Sequence, residues 1–181
     1  MGLEKLLTKK KTAIVQKWFD MVIETYPADS AKFYKSQKDP FANPVGRNTF
    51  NALKILFDQL LHEMDHGAIK SSLDPIIRIR AVQDFSPSQA TAFIFFLKKI
   101  IRDQFDNEIK NSLNVDELLH FESKIDQLCL IAFNIYAECR EKLYKIKSFE
   151  ERNRTFKAFE RAGLICEIPD AEPDHNKSNL I

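Results

Sequence analysis

SPSQATAFIFFLKKIIRDQF, residues 86–105, is the stretch whose reading decides the fold. Ser86 can cap a helix, Pro87 suits the first helical turn, and Gln89 stands three residues on from the cap. Together they make a capping box, in which two otherwise orphaned amides are satisfied reciprocally. The helix behind it carries Phe93, Ile94, Phe96, Leu97, Ile100, Ile101 and Phe105.

Outward from this helix the period stays that of a helix. Leu3, Leu6, Leu7, Ile14, Val15, Trp18, Val22 and Tyr26 recur at three- and four-residue steps and predict a first helix of roughly six turns, stopped by Pro27. Residues 28–39 read as a short helical or irregular piece with Phe33 and Tyr34. Residues 39–46, with Pro40 and Pro44, read as a fixed connector, because each proline lacks an amide donor and restricts its predecessor. A second long helix is expected from about Asn48 to His66, with Gly67 as its left-handed cap. Asp74-Pro75 reads as a cap followed by a first-turn proline, opening a short helix through Ile76, Ile77, Ile79 and Val82.

Asn114 with Glu117 repeats the start signal, and apolar positions from Leu118 to Ile146 extend that helix for about eight turns. A last helix holds Phe149, Phe156 and Phe159 and stops at Gly163. From Glu167 onward the chain is polar, proline-bearing and aperiodic, so a disordered tail is expected over 166–181, after a domain at 1–165. No segment alternates with period two between turn signals, and no internal repeat is visible. The fold class is therefore all-α, an orthogonal or globin-like helical bundle of six or seven helices.

Twenty-seven basic residues nearly cancel 26 acidic ones, which argues against a broad footprint for nucleic acid or an anionic membrane and toward protein or small-molecule partners. Lys9, Lys10 and Lys11 read as a solvated charge run rather than a nucleic-acid arm. Fifteen Phe against one Trp and four Tyr must fill a core, line a helix-packing surface or shape an apolar ligand pocket. Cys129, Cys139 and Cys166 are odd in number and lack C-x-x-C spacing, so neither a disulfide framework nor a thiolate metal site is expected and a reducing, cytoplasmic setting is. No apolar run reaches the length of a signal peptide core or a membrane span, so no direct membrane insertion is expected.

The literal H-E-x-x-H of His62-Glu63-Met64-Asp65-His66 is the one motif with known chemistry. In a zinc peptidase the two histidines bind the metal one helical turn apart, and the glutamate polarises a water. Here Asp65 adds a charge, Gly67 ends the helix at once, and the third ligand stays open among Asp84, Glu108 and Glu117. The motif is read instead as the polar last turn of an amphipathic helix, with His62 and His66 near the negative end of its dipole. Haem would need an inward-facing histidine. No histidine lies between Pro75 and Asn107, and His120 and His175 read as solvated. No catalytic set and no cofactor is expected. Arg78 and Arg80 stand inside an apolar stretch about 200° apart on a helix, so they cannot clamp one anion together. One structural pairing and one solvated arginine is the favoured reading, an anion contact the other.

Three stretches carry a resemblance: YPADSAKF at 26–33, KDPFANPVG at 38–46 and LDPIIRIRAVQDF at 73–85. On them, over roughly residues 4 to 145, the chain resembles the RsbRD N-terminal domain family. The resemblance implies a globin-like domain without haem that dimerises and serves as the sensory half of RsbR-type stressosome proteins, ahead of a STAS domain. Too few residues follow position 165 for a STAS domain, so a stand-alone module is expected. It is similar to versions in sulfate-reducing bacteria encoded near the sulfite-reduction membrane complex DsrMKJOP. That implies a regulatory or accessory part in dissimilatory sulfur metabolism, exercised as a homodimer with a further protein partner.

Overall fold

A computed structural model describes residues 2–37, 39, 41–83, 85–111 and 114–164 of the chain. Among them there are helices and no strands: α1 (Leu3–Ile23), α2 (Ala28–Ser36), α3 (Pro44–Leu61), α4 (His66–Val82), α5 (Pro87–Thr91), α6 (Phe96–Gln104), α7 (Asp106–Asn111) and α8 (Val115–Arg161). A 3₁₀ turn, Ala92–Ile94, joins α5 to α6. With 87–104 taken as one bent rod, this is an all-α bundle of seven helical segments among the described residues. The expected tail over 166–181, with His175 and Cys166, lies outside the described residues, as do Lys38, Pro40 and Asp84.

Two compact units divide the chain, Met1–Glu141 and Lys142–Ile181. In the first, α1 packs against α3 and α6, and α3 against α4. The core is filled by Trp18, Phe57, Phe93 and Phe105, all without exposure, and α8 adds Ile125, Leu128, Ala132 and Ile135. Trp18 Nε1 donates to the Phe93 carbonyl at 2.8 Å, so its buried indole N–H is satisfied. In the second unit the described residues, 142–164, comprise the last turns of α8 and its cap, with Tyr144, Ile146, Phe149, Phe156 and Phe159 exposed.

The structure corrects several boundaries read from sequence. α3 begins at Pro44 rather than near Asn48, because buried Asn43 caps it: Asn43 Oδ1 accepts from the Gly46 amide at 2.9 Å. The same amide side chain donates from Nδ2 to the carbonyls of Tyr34 and Gln37, which ties the end of α2 to the start of α3. Gly67 is no left-handed cap. It lies in the first turn of α4, where its amide and that of Ala68 donate to Asp65 Oδ1. Pro75 does not open a helix but sits inside α4, on its exposed side. Ser71, whose carbonyl loses its helical partner to the proline, is itself exposed, which limits the cost.

Nor do α8 and the expected last helix separate. No glycine or proline occurs between Val115 and Arg161, so nothing interrupts the 47-residue helix until Gly163. Gly163, with φ of 67°, ends it: Leu164 N donates to Phe159 O and Gly163 N to Glu160 O. Glu117 has a use that spacing did not suggest, since its carboxylate accepts from the Leu3 amide at 2.6 Å and so caps α1.

A Cβ at Gly46 would stand 2.7 Å from Asn43 Oδ1, inside the cap itself. Asn43→Ala and Gly46→Ala are each expected to cost about 1–2 kcal/mol. Urea denaturation followed by Trp18 fluorescence checks this, and an unchanged midpoint in both variants would remove the cap from the account.

Candidate functional site

Ile76, Ile77, Arg80 and Ala81 share the buried face of α4, and Arg78 lies on the other side. Arg78 is exposed and grips Asp74 one turn back, with Nε to Oδ2 at 3.1 Å and Nη2 to Oδ1 at 2.9 Å. In the open, this pair adds little to stability. Arg80 is the opposite case, with no exposed surface at all.

Its guanidinium is held by neutral groups. Nη1 donates to the Gln89 carbonyl at 3.1 Å, and Nη2 donates to Thr25 Oγ1 at 2.8 Å and to the Val22 carbonyl at 3.3 Å. Three rings surround it, Tyr26, Phe85 and Phe93, with centroids 4.9, 5.0 and 4.8 Å from Cζ. Among the described residues no carboxylate comes within ion-pair distance of it, and its buried Nε has no hydrogen-bond partner. Burial lowers the guanidinium's pKa and raises that of the Tyr26 phenol beside it. Arginine nevertheless stays protonated.

Local structure explains how the charge is tolerated. Val22 lies in the last turn of α1 and Thr25 just past its end, at the negative pole of the helix dipole. Gln89 supplies its carbonyl from a fixed position, because the expected capping box is formed: Ser86 N donates to Gln89 Oε1 at 3.0 Å and Gln89 N to Ser86 Oγ at 3.3 Å. Tyr136 and Arg140 of α8 then hold the turn between α4 and α5, donating to the carbonyls of Phe85 and Ala81. Two hollows adjoin this cluster and share Tyr26, Pro27, Gln83 and Phe85 as walls.

The histidine motif does not assemble. His62 caps the end of α3 in an extended conformation, residues 63–65 connect, and His66 is the first residue of α4. The two histidines therefore share no helix face, and His66 stands at the positive rather than the negative end of a dipole. Among the described residues no three of His, Cys, Asp and Glu group as a metal site would require. His120 is exposed and lines a separate hollow of about 320 Å³ with Glu117, Phe121 and Lys124. The lysine run is partly engaged, Lys10 over the Phe105 ring and Lys11 with Asp58. Cys129 is buried, and burial pushes its thiol pKa up.

Residues 12–147 match the family model described as the RsbT co-antagonist protein rsbRD N-terminal domain. The chain belongs to the RsbRD N-terminal domain family. No curated protein and no solved structure matches it. A domain of this family is a regulatory, sensory module of stressosome type. Within this RsbRD N-terminal domain, the ring cage and the Thr25 and Gln89 acceptors were not read from the sequence. Their signal was present, since Tyr26, Arg80 and Phe85 all fall in stretches that carry the family resemblance.

Lysine offers neither the planar fork nor the stacking face that this site uses. Arg80→Lys is expected to lower stability by about 2–3 kcal/mol. Arg78→Lys, at an exposed pair, is expected to stay within about 0.5 kcal/mol of the parent. Chemical denaturation of the two variants side by side checks the contrast.

Proposed function

We propose that this RsbRD N-terminal domain is a haem-free, non-enzymatic regulatory module that acts in the cytoplasm through protein contacts, as a homodimer. The carrying observation is a set of exposed apolar side chains on the solvent face of α8, Leu119, Leu130 and Phe133, with Ser123 and Asp126 between the first and the other two. Leu118, Phe121, Ile125, Leu128 and Ala132 face the core of the first unit, while Leu119, Leu130 and Phe133 are exposed at 56%, 66% and 48%. Leu119 and Leu130 stand 11 residues apart, close to three full helical turns, and Phe133 follows one turn on. Large apolar side chains aligned on a solvent face mark a contact surface. A second copy of the same surface would cover it isologously.

The reading without an enzyme is supported by the dispersal of His62 and His66 and by the arginines serving structural roles. The haem-free reading is supported by Phe57, Phe93 and Phe105, which close-pack in the core, and by His120 facing solvent. Among the described residues no helix is long and apolar enough to cross a membrane. The proposal extends to an accessory part in dissimilatory sulfur metabolism, with the dimer as the form that meets its partner. A second reading, a sensor of a small ligand, is favoured by the hollows beside Arg80, of about 410 and 350 Å³.

Light scattering on the eluting protein at tens of micromolar is expected to give the mass of a dimer. Leu130→Glu combined with Phe133→Glu should give a monomer with unchanged Trp18 emission. A strictly monomeric parent protein would refute the dimer.

A further inference from the structure

The family match stops at residue 147, and α8 runs on to Arg161. Around that end Ile146, Phe149, Phe156 and Phe159 are exposed and lie within about 140° of one another on the helix, with Asn153 between Phe149 and Phe156. Arg152 and Lys157, both exposed, flank them. A helix end of this kind draws its stability from whatever covers its apolar side. Residues 142–161 hold seven Lys and Arg against three Glu, whereas 165–174 hold Glu167, Asp170, Glu172 and Asp174 and no Lys or Arg. The near-neutral balance of the whole sequence thus conceals two opposed runs a few residues apart.

We infer that residues 165–174 of the same chain fold back along this side of α8 and cover it. Gly163, at φ 67°, turns the chain off the helix axis, and Leu164 N donates back to Phe159 O. By sequence, Pro169 and Pro173 exclude further helix and favour extended backbone at the residues before them. In a polyproline-II strand, with about three residues per turn, Ile165, Ile168 and Ala171 share one side and Glu167 and Asp170 the next. Its rise of about 3.1 Å per residue, set against about 1.5 Å in α8, brings Ile165 level with Phe159 and Ile168 level with Asn153. Glu167 then comes between Arg152 and Lys157. Apolar side chains meet apolar ones and carboxylates meet cations in one register. Tethering raises the effective concentration of the tail to about the millimolar range, so contacts too weak between separate molecules suffice. The inference goes beyond the regulatory reading and needs neither the dimer nor its surface.

A nitroxide on Ala171→Cys, in a full chain that also carries Cys166→Ser, reports the contact through the amide spectrum, since Cys129 and Cys139 are buried. The expected result is signal loss greatest around residue 147. It should vanish in Arg152→Glu combined with Lys157→Glu and return when Glu167→Lys and Asp170→Lys are added. Arg152 and Lys157 are exposed, so the signals of residues 3–135 should stay in place throughout. Signal loss strongest at 159–164 and fading steadily toward 146 would overturn the docking. Loss around 147 that ignores the charge reversals would overturn the register. Isotope-labelled chains mixed with spin-labelled chains of ordinary isotope content separate the source, and loss carried only between chains would overturn docking within one chain. The same readings apply to a monomer and to a dimer, so failure here is distinguishable from failure of the dimer.

Discussion

A guanidinium taken out of water has to recover its hydration from the protein, and Arg80 does so without a carboxylate among the described residues. Three consequences follow for the chain around it. α1 must end where the Val22 carbonyl and the Thr25 hydroxyl meet the cation, α5 must present the Gln89 carbonyl from a capped first turn, and aromatic faces must fill the rest. α8 reaches the same place from the other side through Tyr136 and Arg140. Elements far apart in sequence are thus referred to one charge, and errors in the end of α1 or the start of α5 would leave that charge without partners.

The helical class was legible because the apolar positions in α1, α5, α6 and the first half of α8 keep a clean helical period. The Ser86-Pro87-Ser88-Gln89 start is formed as its residues imply, since a capping box is satisfied within four residues and needs no tertiary context. What misled were signals with two readings. Asp-Pro can open a helix or ride its solvent side, and Pro75 does the latter because Asp74 is engaged by Arg78. Glycine can end a helix or begin one, and Asp65 decides for the beginning at Gly67. That same capping breaks the H-E-x-x-H geometry, which a string of letters cannot show.

The Arg80 cluster was only half legible. Spacing separates Arg78 from Arg80 onto opposite faces, but which one is buried depends on α1 and α5 arriving there. Tyr26 and Phe85 are 59 positions apart and meet only in the folded chain. A family that places sensing in such a domain needs a part whose contacts can shift, and a buried charge whose partners among the described residues are neutral is such a part. Small changes in its surroundings alter its free energy more than equal changes around an apolar side chain would.

The central claim is that Arg80 joins the end of α1, α4 and the start of α5 into one cooperative unit. Amide hydrogen exchange in Arg80→Lys, compared with the parent chain under native conditions, tests it directly. The account predicts protection lost together at residues 22–26, 79–83 and 89–93, while the middle of α3 keeps its protection. Loss confined to α4, or an even loss over the whole first unit, would contradict it.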